Sequence, residues 1–432
     1  MFIIICKITV MDKSIKNKQI SDTIRTTYEK RKNQICKTFK FKVDLSSLSN
    51  KQKEQLKMQF VEAKWIYNYL LSQEDIFSFD YKNLSTITHK DKYGNDITVT
   101  LSYIGSSLKQ SLIKQIESQI KGLSVLKKKG HTVGKLKFKS EINSIDLKQY
   151  DNTHSIRGKK IKIQGIKKPI RVNGLNQLSK YNNLEYANGK LLYDGNDYFI
   201  SLTCFIDKEN NISHTYKNDV IGIDMGISST ITLSDGKKYN ISIDESERLK
   251  KLQAKLDRQK KGSNNRYKTI SKIRKEYNHM TNKKNDISNK IVSSILKENK
   301  VVVIQDEQID SWKEGEFACS KIQHSVLGRI KSKLSQSDRV IILDKWFPTT
   351  KYCSNCGHKY DDIKLNERIF VCSVCGNKED RDIHAAKNMI YFYQQYNKLD
   401  RSGMDQTSIK GPVKISYNKF VSKTSKQEDI TL

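Results

Sequence analysis

The sequence predicts a multidomain protein of the α+β class, because segments with helical, β-strand and mixed patterns follow one another along 432 residues. At about 150 residues per domain, this length corresponds to two or three domains. Residues 49–130 place apolar side chains at helical spacing, residues 131–217 alternate over short stretches, and residues 218–346 open with an apolar strand. Two Cys-x2-Cys pairs add a small metal-binding module.

The charge of the chain indicates a polyanionic partner. Lys and Arg total 79 against 47 Asp and Glu, which gives a formal net charge of +32. Nucleic acid is the commonest polyanion in a cell, and a membrane surface is the weaker alternative. The apolar run near the start, Phe2 to Cys6, is too short to span a bilayer. We therefore expect a cytoplasmic protein, nucleoid-associated in a prokaryote, with no membrane partner.

The first half of the chain divides into three predicted segments. Eleven Lys and Arg residues against three Asp and Glu precede Asp44, and residues 1–38 lack a sustained period, so they predict a loosely ordered basic arm. Residues 39–48 and 131–217 alternate as strands do and predict a small β-barrel with one cationic face. Between them, residues 49–130 predict two helices, the first capped by Ser49 or Asn50. The apolar positions of these helices are Leu56, Phe60, Ala63, Tyr67 and Leu70, then Leu108, Leu112, Ile116, Ile120 and Leu123.

The second half of the chain combines buried strands with helices. The strands are predicted at 220–227, 301–304 and 340–343. A very basic helical stretch at 244–300 breaks near Gly262, and a further helix is predicted at 322–334. The last helix begins at Asp380, and residues 399–432 turn polar and aperiodic, which predicts a flexible tail.

Four of the eight cysteines have the spacing of a zinc ribbon. They form two Cys-x2-Cys pairs separated by fifteen residues, and each pair is followed by a glycine, Gly357 or Gly376. Glycine there lets backbone amides turn toward the thiolates, and four sulfurs satisfy the tetrahedral preference of Zn²⁺. Two disulfides would need an oxidising compartment, for which the sequence gives no sign. The predicted zinc ligands are Cys353, Cys356, Cys372 and Cys375.

Several carboxylates lie in apolar sequence, where an isolated charge is costly unless it is paired or coordinated. Asp224 lies on the first strand, Asp306 and Glu307 end the second, and Asp380 and Asp382 begin the last helix. Carboxylate oxygens suit Mg²⁺, and two such ions about 4 Å apart can drive phosphodiester hydrolysis. Single acids at strand ends are more often caps or salt-bridge partners. Spacing alone does not choose between Asp306 and Glu307.

The order of these motifs resembles the transposon-encoded TnpB nucleases and the related miniature type V CRISPR effectors. The residues that carry the resemblance are Gly222-Ile-Asp224-Met-Gly226, Ile304-Gln-Asp-Glu307, the two Cys-x2-Cys pairs, and Asp380-Arg-Asp382-Ile-His-Ala-Ala-Lys-Asn388. It is strong over residues 218–395 and weaker over the segments before them. The chain has His384 where the family commonly has Asn, and Gln308-Ile309 where the family commonly has an acid or Asn followed by Leu. His384 is then either a neighbour of the metal site or a residue of the helix face.

The resemblance implies a ribonuclease H-like (RuvC) α/β domain with an inserted zinc ribbon, preceded by a small wedge β-barrel that a helical recognition domain interrupts. The RuvC domain would comprise residues 218–346 and 377–398, and the ribbon residues 347–376. By the same resemblance, Asp224, Glu307 and Asp382 are the catalytic carboxylates and the magnesium ligands, with structural Zn²⁺ held by the cysteines.

The implied activity is RNA-guided cleavage of DNA by a metal-dependent endonuclease of a transposable element. Its partners would be a guide RNA derived from the element and a double-stranded DNA target with a short adjacent motif. The alternatives are a miniature type V CRISPR effector, a transposase that joins DNA without RNA, and a DNA-binding regulator that does not cleave.

Overall fold

The computed structural model describes residues 2–73, 84–90, 93–208, 215–227, 229–314, 316–360, 368–399 and 412–421. The chain forms two compact units, Met1–Ile212 and Ser213–Leu432, which we call the N-terminal and C-terminal units. Among the described residues, no helix combines the length and the apolar character that crossing a membrane requires.

The N-terminal unit combines a seven-stranded antiparallel sheet with two packed helices. The sheet order is β4-β8-β9-β1-β7-β6-β5, and a separate hairpin pairs β2 with β3. One hydrophobic core joins the sheet to the helices α2 and α3. The elements are α1 (Phe2–Lys32), β1 (Gln34–Val43), α2 (Asn50–Leu71), β2 (Thr86–Lys90), β3 (Asp96–Thr100), α3 (Ser106–Lys128), β4 (Ser144–Leu147), β5 (His154–Arg157), β6 (Lys160–Ile163), β7 (Ile170–Asn173), β8 (Glu185–Tyr193) and β9 (Tyr198–Asp207).

The two predicted helices of this unit are confirmed. Ser49 caps α2 through a capping box with Gln52, and the apolar positions Leu56, Phe60 and Leu112 are buried as predicted. The predicted barrel is an open sheet instead: within the described residues its pairings run in a line from β4 to β5 and do not join these two edges.

The basic N-terminal segment is a helix followed by a strand, which corrects the prediction of a loosely ordered arm at residues 1–38. No glycine or proline interrupts residues 1–33, so helix propensity is continuous even though no apolar stripe marks it. The end of α1 is fixed by Arg31, whose guanidinium donates to both carboxylate oxygens of Glu185 at 2.7 and 2.9 Å. The same guanidinium lies 3.5 Å from the ring centroid of Phe205.

The C-terminal unit is built on a six-stranded mixed sheet in the order β12-β11-β10-β13-β14-β17. The strands β10, β13, β14 and β17 are parallel to one another, β11 is antiparallel to β10, and β12 is antiparallel to β11. The elements are β10 (Asn218–Met225), β11 (Ile231–Leu233), β12 (Lys238–Tyr239), α4 (Glu247–Asp257), α5 (Asn264–Glu298), β13 (Asn299–Gln305), α6 (Glu316–His324), α7 (Leu327–Leu334), β14 (Val340–Leu343), β15 (Ile369–Val371), β16 (Lys378–Asp380), α8 (Arg381–Leu399) and β17 (Val413–Ile415).

The predicted flexible tail is corrected in part. Residues 413–415 form β17, which pairs with β14, and Ile415 is buried in a core with Phe347 and Phe392. A three-residue strand after a polar stretch gives too short a pattern to predict. The tail positions 400–411 and 422–432 lie outside the described residues.

Two hydrophobic cores lie on opposite faces of the mixed sheet. Helices α5 and α7 cover one face, where Ile223, Val302 and Ile330 are buried. Helix α8 covers the other face, where Val303, Met389 and Phe392 are buried. Side chains alternate between the two faces along each strand, so Gly222 and Asp224 of β10 face α8.

Gly222 sets how closely α8 approaches β10. A Cβ atom built on Gly222 would lie 1.9 Å from the carbonyl oxygen of Ala386 in α8. This backbone oxygen could move only if the helix moved with it. A glycine at position 222 is therefore required for α8 to pack where it does.

We expect Gly222→Ala to destabilise the C-terminal unit by about 2 to 3 kcal/mol, because the added methyl group forces α8 away from the sheet. Thermal and denaturant unfolding of the full chain would measure the loss. Gly328→Ala is the matched control, since Gly328 lies in α7 with no neighbour within 4 Å of its added Cβ and alanine favours a helix. Equal stability of the two variants would contradict the role assigned to Gly222.

Candidate metal sites

The three carboxylates implied by the resemblance come to one edge of the mixed sheet. Strands β10 and β13 are parallel with Ile223 opposite Ile304, so Asp224 and the residues after Gln305 lie at the same carboxyl edge. Asp382 is the second residue of α8, and this helix packs across the face of β10 to which Asp224 points. The acids come from a strand, a loop and a helix that are far apart in the sequence.

The electrostatics of Asp224 reflect this proximity. Burial first, and then the negative charges of Asp382 and Glu307, raise the pKa of Asp224 from its ordinary value of 3.8 to about 7. The positive charge of Arg381 and the backbone N–H of Met225 oppose this rise only in part. Asp224 is therefore a partly buried acid that desolvation and its two acidic neighbours keep from ionising easily.

Asp306 and Glu307 have opposite surroundings. Lys331 donates a hydrogen bond of 2.8 Å to Asp306, and Lys414 lies 3.5 Å from the other oxygen of this carboxylate. These cations lower the pKa of Asp306, Lys331 most of all, whereas burial raises the pKa of Glu307. Asp306 is thus held in ion pairs, and Glu307 is the acid of the pair whose charge acts on Asp224.

Asp380 and Asp382 also differ in their surroundings. The Asp380 carboxylate accepts hydrogen bonds from the backbone N–H groups of Asp382 at 3.0 Å and Ile383 at 3.3 Å, so Asp380 caps α8. It also accepts a 2.7 Å hydrogen bond from Lys238. Asp382 lies 3.6 Å from the same ammonium group and acts electrostatically on Asp224.

The donor set at this edge fits a magnesium site in its chemistry. All three side chains offer hard carboxylate oxygens, and the repulsion around Asp224 is of the kind that a divalent cation relieves. The ligand oxygens of these carboxylates do not form a group as compact as the sulfur atoms of the four cysteines. Within the described ranges, the only His, Cys, Asp and Glu side chains that form such a group, with ligand atoms all within 4.8 Å of one another, are the four cysteines.

The four cysteines form a compact thiol cluster. The sulfur atoms of Cys353 and Cys375 are 3.7 Å apart, and those of Cys356 and Cys372 are 3.6 Å apart. A tetrahedral ion with sulfur atoms at about 2.3 Å would separate its ligands by about 3.8 Å. The cluster therefore fits a tetrahedral zinc site in both its donors and its spacing.

The backbone of the two Cys-x2-Cys turns follows one pattern. The N–H of Gly357 donates to the carbonyl of Cys353 at 2.8 Å, and the N–H of Gly376 donates to Cys372 at 2.9 Å. Both glycines have positive φ, at 76° and 70°, a conformation that costs other residues energy. The hydrogen bond of Tyr360 to Cys372 lowers the pKa of that thiol, which favours the thiolate that binds metal.

His384 joins the cysteine module to α8. Its ring is fully buried and stacks on Phe370 of β15, with centroids 3.7 Å apart and an interplanar angle of 14°. Nδ1 lies 2.8 Å from the Glu379 carboxylate, to which it donates, and Nε2 lies 3.0 Å from the Asn388 amide nitrogen, from which it accepts. His384 is therefore a buried residue that packs the ribbon on the helix.

The sequence did not point to the lysines that neutralise Asp306 and Asp380. Lys331 comes from α7, Lys414 from β17 and Lys238 from β12, each far from its partner along the chain. A chain with 79 Lys and Arg residues offers no local signal that singles out these three.

Two family models match the C-terminal unit and its flank. Residues 205–313 match the OrfB_IS605 model, described as "Probable transposase", and residues 324–389 match the Cas12f1-like TNB domain model. The C-terminal unit and its flank are therefore similar to the proteins that these two models describe.

Two relatives match by sequence. A "Putative RNA-guided DNA endonuclease" of Streptomyces pristinaespiralis is 31% identical over 202 residues, which cover 45% of this chain and 49% of the relative. The "Putative RNA-guided DNA endonuclease InsQ" of Escherichia coli strain K12 is 27% identical over 199 residues, or 40% of this chain and 48% of the relative. The chain thus spans about half the length of these relatives.

One solved structure superposes along most of the chain. It is the "Cryo-EM structure of the Cas12f1-sgRNA-target DNA complex", with 12% identity and a TM-score of 0.44 over 83% of this chain and 99% of that one. A likeness of this size does not establish a shared fold.

The raised pKa of Asp224 predicts a specific pH dependence of stability. The stabilising contribution is complete below the ordinary pKa of 3.8 and is lost as pH rises through about 7, because the folded chain holds a proton that the unfolded chain has released. In buffer free of divalent cations, we expect Asp224→Asn to stabilise the chain more at pH 8 than at pH 5, by about 3 kcal/mol at most.

Thermal unfolding of wild type and variant at both pH values measures this difference. Asp219→Asn, at an exposed position of the same strand, controls for the removal of a charge from β10. A stabilisation by Asp224→Asn that is the same at pH 5 and pH 8 would contradict the raised pKa.

Proposed function

We propose that the chain is an RNA-guided DNA endonuclease of a transposable element, and that Asp224, Glu307 and Asp382 form its magnesium-dependent RuvC site. The observation that carries the proposal is that burial, together with the charges of Asp382 and Glu307, raises the pKa of Asp224 to about 7. The names of the two relatives support the same activity. A mixed sheet with helices on both faces supports the ribonuclease H-like assignment.

In this proposal, the three carboxylates would hold Mg²⁺, which would supply an activated water and charge neutralisation at the scissile phosphate. The chain's own contribution is position: β10 fixes Asp224, the end of β13 fixes Glu307, and the cap of α8 by Asp380 fixes Asp382. Asp306 and Asp380 have structural roles, since each is held by a lysine.

Nucleic-acid binding follows from charge on the described surface. Residues 247–298, which include α4 and α5, contain 16 Lys and Arg against 5 Asp and Glu. A cavity of about 990 Å³ beside Glu307 is lined by Lys284, Arg329 and Lys331. Such cations fit the phosphates of a guide RNA and a DNA target, and binding should weaken by about 0.7 to 0.9 log units per released counterion as salt rises.

A transposase is the second candidate, because the model that matches residues 205–313 carries that description. It would bind transposon ends directly and join DNA strands, whereas the proposed nuclease needs RNA and hydrolyses its target. A miniature type V CRISPR effector would share the chemistry of the nuclease and differ in its genomic neighbours, with a repeat array in place of transposon ends.

The deciding experiment begins with the RNA that co-purifies with the full chain. Sequencing this RNA identifies the guide, and a plasmid that carries the matching target is then incubated with the complex and Mg²⁺. Guide-dependent linearisation supports the proposal, and its loss in EDTA supports the metal requirement. Strand joining in the absence of RNA would replace the proposal with the transposase.

The two pairs of neighbouring acids provide matched controls for the site. We expect Asp224→Ala, Glu307→Gln and Asp382→Asn each to slow cleavage at least about 100-fold, because each removes a ligand from a metal that supplies several kcal/mol of transition-state stabilisation. Asp306→Asn and Asp380→Asn should stay within about tenfold, since exposed ion pairs contribute little and asparagine also caps helices.

Cleavage rates of the five variants, each with unchanged RNA binding, test this assignment. Loss of activity in Asp306→Asn with retention in Glu307→Gln would reverse the choice between these two acids.

We also propose that the four cysteines hold a structural zinc ion. Cys372→Ser should lose the bound metal and lower the unfolding temperature, because the ribbon that leads into α8 loses its centre. Elemental mass spectrometry of the purified chain measures zinc directly. Cys319→Ser, at an exposed thiol on α6, is the control that should keep it, and an unchanged zinc content in Cys372→Ser would contradict the proposal.

A further inference from the structure

An exposed tryptophan lies in a turn that leaves the mixed sheet at the edge of the candidate carboxylate site. The indole of Trp346, in the turn that follows β14, is 66% exposed. The other two tryptophans, Trp65 and Trp312, pack against hydrophobic cores. The indole therefore presents a large, flat apolar surface that a planar ligand can cover.

The turn that carries Trp346 is held firmly. The buried amide of Gln305 donates to the backbone carbonyls of Asp344, Lys345 and Phe347 at 3.3, 3.1 and 2.8 Å. The oxygen of the same amide accepts a 3.0 Å hydrogen bond from Thr349. The Gln305 side chain thus holds the turn through four hydrogen bonds, and the turn keeps Trp346 at the protein surface.

The same amide connects the turn to the candidate site. Gln305 is the last residue of β13, two positions before Glu307, and it pairs in register with Leu343 of β14. The turn therefore leaves the sheet at the carboxyl edge at which Asp224 and Glu307 lie. Since β14 is two strands from β10, the start of the turn is about 10 Å from Asp224.

The charge around the indole favours an anionic ligand. The ammonium group of Lys345 lies 4.7 Å from the ring centroid of Trp346. Lys414, on the neighbouring strand β17, is paired with Asp306. The Asp344 carboxylate of the turn accepts a 3.3 Å hydrogen bond from the backbone N–H of Trp346. Lys345 is therefore the cation at the indole itself. A ligand that combines a flat apolar ring with negative charge at this spacing is a nucleotide.

We propose that Trp346 stacks on an unpaired base of the nucleic-acid strand that enters the carboxylate site, while Lys345 contacts its phosphate. The inference rests on the proposed nuclease function and deepens it by naming a residue that positions the substrate strand. The strand must be single-stranded there, because in a duplex the faces of a base are covered by its neighbours. Protein partners bind exposed indoles as well, but Lys345 favours the phosphate-bearing ligand.

The first test measures binding of short oligothymidylate by the full chain in the Asp224→Ala background, without cleavage. We expect Trp346→Ala to weaken binding about tenfold or more, which is the order of the loss of one stacked base, and Trp346→Phe to restore most of it. An oligonucleotide whose bases are replaced by abasic sites should bind wild type and Trp346→Ala alike. Deoxyribose and ribose versions of the probe tell whether the strand is DNA or RNA.

The second test uses fluorescence, since stacking on a base quenches an indole. Oligothymidylate should quench the chain, and Trp346→Phe should remove most of the quenching. The control Trp312→Phe, at a packed tryptophan, should leave the quenching in place. Equal affinity of wild type and Trp346→Ala for the base-bearing probe, or quenching that survives Trp346→Phe, would overturn the proposal.

These outcomes separate this proposal from the proposed function. If the chain does not cleave DNA but Trp346 still controls quenching, the nuclease function fails and the stacking site stands. If guided cleavage depends on Asp224 and is unchanged in Trp346→Ala, the nuclease function stands and the stacking site fails.

Discussion

The close passage of α8 over Gly222 is the contact on which the carboxylate edge depends. The backbone of Ala386 comes so near to β10 that a single methyl group on residue 222 would overlap it. Because Asp224 lies two residues further along the same face, this approach brings the start of α8 to the end of β10. A partly buried aspartate of the strand and an aspartate of the helix then lie close together, and the charge of Asp382 adds to the effect of burial in raising the pKa of Asp224.

The cysteine module fixes the other end of this arrangement. Strand β16 leads directly into α8, so the thiol cluster and the helix start are continuous in the chain. His384 stacks on the ribbon residue Phe370 and contacts Glu379 and Asn388 on its two ring nitrogens. These buried contacts resist rotation of the first turn of α8, and so the geometry of the thiol cluster is coupled mechanically to the position of Asp382.

Short-range patterns predicted much of this architecture, and long-range contacts account for what they missed. Local patterns were enough to predict features that depend on residues near one another in sequence. Examples are the capping box at Ser49, the buried strand around Ile304 and the spacing of the four cysteines. Helix α1 was not predicted because most of its side chains from residue 15 onward are exposed, so the sequence has no periodic apolar pattern there. Strand β17 was not predicted because it is defined by its pairing with β14, a segment about 70 residues away along the chain.

The choice between neighbouring acids shows why the site itself was harder to predict from residues alone. Asp306 and Glu307 are equivalent in spacing, as are Asp380 and Asp382, and only the resemblance separated them. In the structure, the two acids of each pair differ in their electrostatic surroundings. Lysines from α7 and β17 form ion pairs with Asp306, and Lys238 and two backbone N–H groups contact Asp380. Each pair thus contains one acid that accepts a short hydrogen bond from a lysine and one whose charge acts on Asp224. In this strongly basic chain, the shortest lysine contacts at this edge are made with the acids that the proposed function leaves out of the metal site.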